Sequence, residues 1–162
     1  MKKKLIIGGV VCILCLGGVV ASATMKEFNP EINEDEYYEQ VEQKEIERRS
    51  LYIGAVEAGI SVTDEEVQNV IDELKNNLSE DKEAYEQLMA YLAGRKIAEE
   101  EYWQEIKPIY IRNLTIQKYL ESMEEKALKD SQDGKNTEEE IREKADEQLI
   151  EDCIDKYEVS VE

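Results

Sequence analysis

The sequence predicts an all-α protein, and three observations carry that expectation. Thr63 with Glu66, and Thr137 with Glu140, stand in the T-x-x-E spacing of a capping box, which satisfies two orphan N–H groups at a helix start. Val67, Val70, Ile71, Leu74 and Leu78 recur at helical spacing, as do Tyr102, Ile106, Ile109, Ile116, Leu120 and Met123. Strand-like alternation is confined to Tyr157–Val161 at the end of the chain.

In chain order, Met1–Ala23 has the make-up of a targeting segment. Lys2–Lys4 give a positive start, Leu5–Val20 is apolar and uncharged, and Ala21-Ser22-Ala23 fits a small-x-small cleavage pattern. Left uncut, the apolar run is long enough to span a bilayer. Both alternatives put the lysines inside and the body outside, so the expected location is extracytoplasmic, either secreted or anchored by a single pass. Cys12 and Cys15 follow Val11 and Leu14 rather than a small residue, which argues against lipid attachment.

Residues 24–36 read as a linker, with Asn29-Pro30 and Asn33-Glu34-Asp35 supplying turn chemistry. Residues 37–162 form the body. A first helix is expected from about Glu36 to Ala58, polar at first and so read as a solvated stalk. It turns apolar through Leu51, Tyr52, Ala55 and Val56, and Gly59 ends it. Ile60–Val62 is an extended bridge. A second helix starts at Asp64, with Val62 and Val67 as hydrophobic staple and Asp64–Glu66 complementing the helix dipole. A third, capped by Ser79 or Asp81, runs to a stop at Gly94. The fourth spans about Glu99 to Leu128, starts on the poor cap Ala98 and carries Pro108, which should kink it. Trp103, Tyr110, Leu114 and Leu128 widen its apolar stripe to about half the circumference. After a polar turn at 130–136, the Thr137 box opens a last helix with Ile141, Ala145, Leu149, Cys153 and Ile154 on one face.

Charge excludes several classes of function. From Thr24 onward, 17 basic residues face 39 acidic ones, a net −22. Nucleic acid and anionic lipid both require a basic face, so neither is an expected partner, and membrane contact is confined to the N-terminal segment. There is no histidine, the commonest general base and metal ligand. No nucleophile elbow, phosphate loop or Cys/His pairing is present, and the acidic pairs read as solvated faces. Asp133-Gly134 with Glu140 copies the later part of an EF-hand loop. Its first ligand position is Lys129, so no calcium is expected. Catalysis, metal and cofactor are therefore not expected. Cys153, alone in the body, reads as a small buried apolar residue.

The aromatic and flexible apolar side chains concentrate on the third helix (Tyr85, Met89, Tyr91) and the fourth (Tyr102, Trp103, Tyr110, Tyr119). They read first as core with hydroxyls at the surface. The sharper reading is a groove for apolar segments of another chain.

The segments EIERRSLYIGAVEAGISVTDEEVQNVIDELK and AEEEYWQEIKPIYIRNLTIQKYLE resemble the chaperone domain of SurA N-terminal and PrsA-like extracytoplasmic foldases, over about Glu45–Met123. In the second, Tyr102, Leu114, Ile116, Gln117, Lys118 and Leu120 match that family's long helix. KYEVSVE, closing the stretch Ile141–Val161, resembles its last helix and short strand. Such relatives insert a parvulin prolyl isomerase where 130–136 stands here, so the resemblance implies no isomerase activity. It departs further in lacking the N-terminal V-N-G strand, for which Ile60–Val62 is the candidate substitute, and in having Ala98 for the usual Ser/Thr cap. The resemblance implies a small all-α chaperone domain with a long fourth helix and a short C-terminal strand. It would bind unfolded or extended polypeptides, with Tyr85, Met89, Trp103, Tyr110 and Leu114 as client-binding candidates. The alternative is a non-catalytic envelope scaffold whose groove is filled and which docks one specific partner.

Overall fold

Five helices account for nearly all the described residues, 34–131 and 136–160, of a computed structural model. They are α1 (Glu34–Glu57), α2 (Asp64–Glu80), α3 (Lys82–Arg95), α4 (Glu99–Asp130) and α5 (Glu138–Tyr157). The leader-like segment, most of the linker and the middle of the 130–136 turn lie outside the described residues.

The local chemistry explains most helix ends. Gly59, at φ 76°, closes α1 in a Schellman motif: Ile60 N–H donates to the Ala55 carbonyl at 2.9 Å and Gly59 N–H to Val56 at 3.0 Å. Asp81, rather than Ser79, caps α3 by accepting from Ala84 N–H at 3.1 Å, while Ser79 Oγ donates back to the Asn76 carbonyl. The Thr137–Glu140 capping box is present in both directions, at 3.2 and 2.8 Å. Its two bonds draw the Glu140 carboxyl below the ordinary carboxylate range.

One stop is not where the glycine suggests. Gly94 lies inside α3, and Lys96 turns the chain at φ 59°, with Lys96 and Ile97 donating to Ala93 and Leu92. A left-handed lysine costs about 1 kcal/mol, and a helical glycine forfeits a similar amount relative to alanine. Nothing stands near a Cβ added at Gly94. Gly94→Ala and Lys96→Gly should therefore each raise the unfolding free energy read from denaturant melts, by about 0.5–1 kcal/mol apiece.

The helices divide into two compact units. The first holds Asp64–Pro108 and the second Glu34–Thr63 with Ile109–Glu162. The long helix α4 contributes to both, and the division falls next to Pro108, which has no N–H to donate inside the helix.

In the first unit the α2 stripe Val67, Ile71, Leu74 and Leu78 is buried, with Leu88 and Leu92 of α3 and Tyr102, Trp103 and Ile106 of α4. In the second, Leu51 of α1, Ile116 of α4, and Leu149 and Cys153 of α5 form a core flanked by Tyr52, Tyr119, Leu120, Met123, Ile150 and Tyr157. Cys153 is buried and free, and that burial pushes its thiol pKa up. Gly54 lets α1 approach closely, since an added Cβ would sit 2.9 Å from Cys153 Sγ and 3.1 Å from the Tyr119 ring. At the ends of α1 and α5, Glu57 accepts from Lys156 Nζ at 2.7 Å and from the Tyr157 hydroxyl at 2.8 Å.

The C-terminal strand is corrected. Tyr157 belongs to α5, Glu158 turns left-handed at φ 44°, and no strand occurs among the described residues. Tyr157 and Val159 have no strand to pair with among the described residues. An isolated extended segment leaves its N–H and C=O groups to water, whereas the turn at Glu158 donates its N–H to the Ile154 carbonyl.

Candidate functional site

The five client-binding candidates fall into different environments. Trp103 and Tyr110 are only 2% and 3% exposed, so neither lines an open surface in this conformation. Tyr85 and Leu114 are half-buried, and Met89 is exposed. Tyr85, Met89 and Trp103 belong to the first unit, Tyr110 and Leu114 to the second.

Glu99 explains why Tyr85 and Trp103 are held. The Tyr85 hydroxyl donates to Glu99 Oε2 and the Trp103 indole N–H to Glu99 Oε1, each at 3.2 Å. The charge of Glu99 raises the Tyr85 pKa, first by repulsion of the phenolate and then by that hydrogen bond. Tyr102 meets the Trp103 ring edge-on at 5.4 Å, and Lys75 Nζ lies 5.5 Å above it. These contacts satisfy the polar tips of aromatic residues that the helical stripe buries. They are core contacts of the first unit.

The larger exposed apolar surface lies on α1. Of the large hydrophobic residues exposed among the described ones, Tyr38, Val41, Ile53 and Val56 are on this helix and Met89 is the other. At ~100° per residue these four share an arc of about 120°, roughly opposite the buried face of Ser50, Leu51, Gly54 and Ala55. Val56 was grouped by sequence with Leu51 and Ala55, yet it is 53% exposed. The sequence does hold a signal: Leu51 and Ala55 are spaced i, i+4, and Ile53 and Val56 i, i+3, on two separate faces of one helix. One face can be the core and the other must look outward.

Arg142 of α5 contacts Glu124 of α4 directly. One oxygen of Asp146, a turn further along α5, is buried without a hydrogen bond. Burial, then repulsion from Glu124, raises the Asp146 pKa, and Arg142 opposes the rise. A carboxyl raised on folding contributes stability below its unfolded pKa and loses it as pH rises through the folded value. Asp146→Asn is therefore expected to raise the thermal midpoint at neutral pH and give no gain in acid, as read from paired melts.

No group of three or more potential metal ligands occurs among the described residues. No described helix is long and apolar enough to cross a membrane, and Leu5–Val20 lies outside the described residues. Comparison with protein-family models, curated proteins and solved structures found no match. Nothing in these comparisons identifies a SurA- or PrsA-like domain.

Proposed function

We propose that this chain is a non-catalytic protein-binding module of the cell envelope, which docks a partner polypeptide through the outer face of α1. The observation that supports it most is the exposure of Val41, Ile53 and Val56, with Tyr38, on one face of α1. The four form two i, i+3 pairs about 18 Å apart on one helix face, with Glu45 and Arg49 between them, and such spaced anchors suit a helix laid into a partner's groove. The leader-like Met1–Ala23 sets the compartment, and the net charge of −19 keeps the free module soluble.

The chaperone reading is the second one, and it has a specific observation in its favour. Met89 is exposed on α3 beside half-buried Tyr85, an adaptable apolar spot of the kind that accepts varied clients. Burial of Trp103 and Tyr110 weighs against a wide groove.

Light scattering from an unfolded, aggregation-prone client in the presence of the full chain separates the two. The docking reading expects aggregation to proceed unchanged at several-fold molar excess of the chain. Suppression that disappears in Met89→Ser would instead assign the protein to the holdase class.

A further inference from the structure

The second unit carries a basic cluster that the acidic composition conceals. Three of the chain's five arginines surround Glu45: Arg49 Nε at 2.9 Å, Arg48 Nη1 at 3.5 Å and Arg112 Nη1 at 3.7 Å. One carboxylate thus faces three guanidiniums, leaving two positive charges uncompensated within the cluster. Glu45, Arg48 and Arg112 are each about a third exposed or less, so water screens them incompletely. The Arg112 Nε is buried and makes no hydrogen bond.

Within this group Arg49 and Arg112 both meet Glu45 Oε1, and Arg48 meets Oε2 through Nη1. Arg49 makes the short, aligned bond to Glu45, and its Nη1 also reaches the Ser160 carbonyl at 3.5 Å. Arg48 also borders a cleft of about 310 Å³ between α1 and α4. Lys44, Glu47, Arg48 and Leu51 line it from α1, and Asn113 and Ile116 from α4. Its mouth holds two cations and one carboxylate, and its floor is aliphatic. The volume lies at the small end of the range for ligand sites and suits one or two side chains.

We propose that this cleft takes a carboxylate side chain from an acidic, aliphatic segment of the partner polypeptide. Arg48 keeps Nη1 on Glu45 Oε2 and, with Lys44, offers its remaining guanidinium N–H groups to the incoming carboxylate. The planar guanidinium fork matches a carboxylate in two parallel hydrogen bonds. A neighbouring aliphatic side chain rests on Leu51 and Ile116. Charge complementarity selects this occupant. The acidic faces elsewhere repel an anion, but screening over about 8–10 Å restricts that repulsion to close contact, so a short acidic segment senses chiefly the cluster. An extended anionic surface, lipid or nucleic acid, would bring its charge against the acidic faces as well.

This inference rests on the protein-binding reading and names the chemistry of its partner. Its test uses the full chain and a fluorescein-labelled peptide of alternating Glu and Leu, followed by anisotropy at low and physiological salt. The same peptide with Gln for Glu is the control. The acidic peptide should bind, and the control about tenfold more weakly. Arg48→Gln and Lys44→Gln should each weaken binding about tenfold, while Glu47→Gln should tighten it. Opposite effects from neighbouring neutralisations are the signature, because disturbed folding would weaken both. If Arg48→Gln does not fold by circular dichroism, the exposed Lys44 and the Glu47 variant carry the test.

Equal binding of the acidic and control peptides would overturn the proposal. So would shifts of one sign from Lys44→Gln and Glu47→Gln, or a chain that dimerises and loses its dimer in those variants. Loss of the cleft in this way, with partner adducts still forming from Val56, would leave outer-face docking standing. Loss of those adducts too would remove the broader reading.

Discussion

Trp103→Ala should lower the stability of the protein by about 3–5 kcal/mol, the cost of emptying a large aromatic site in a core. Trp103 is almost fully buried, packs edge-on against Tyr102 and lies beneath the Lys75 ammonium. Its indole N–H also donates to Glu99, whose carboxylate holds the Tyr85 hydroxyl as well. Trp103→Phe keeps most of the apolar volume and loses that donor, so a smaller loss of about 1 kcal/mol is expected. Denaturant melts followed by circular dichroism read both variants. In the unaltered protein, the single tryptophan should emit at short wavelength and resist an aqueous quencher such as acrylamide. Ready quenching of folded protein would show that the ring is accessible and would restore it as a client-binding residue.

Gly54→Val should cost about 2–3 kcal/mol, for a reason of the opposite kind. The glycine sits in a helix where alanine would normally be preferred, but Cys153 Sγ and the Tyr119 ring lie 2.9 and 3.1 Å from where a Cβ would be. Adding a branched side chain there must push α1 from α5 or force Tyr119 off its rotamer. A double-mutant cycle isolates the cause. Combined with Cys153→Ala, which removes the nearest atom, Gly54→Val should be less damaging by about 1 kcal/mol. Strict additivity of the two changes would mean that the close approach is not what makes glycine necessary.

Local grammar was legible in the sequence and long-range packing was not. The Thr137 capping box, the turn at Gly59 and the period of α2 each depend on residues within one or two turns, so residue type and spacing suffice. The exit of α3 shows the limit, since Gly94 carries the expected signature yet the chain turns left-handed at Lys96 two residues later. There the helix gains another half-turn of hydrogen bonds, which outweighs the strain of a left-handed lysine. The expected strand failed because strand stability lives in a partner, and the described residues supply none.

The candidate site was only partly legible for the same reason. Residue type marks Trp103 and Tyr110 as both core-forming and client-binding, and burial alone separates the two. The outer face of α1 is hidden in the sequence because Val56 stands in the same apolar run as Leu51 and Ala55, although Ile53 and Val56 point away from both. The arginines around Glu45 are 63 or more residues apart along the chain in the case of Arg112, and only the α1–α4 packing assembles them. The close approach at Gly54 likewise depends on Cys153, which lies on another helix.

The most direct test of outer-face docking is site-specific photocrosslinking of the full chain in its native envelope, with the reactive side chain at position 56. The expected result is one discrete adduct with another polypeptide, lost when Ile53→Glu places a charge on the same face. Adducts absent from position 56 but spread over many polypeptides from position 89 would contradict it. They would place the binding surface on α3, as a holdase requires.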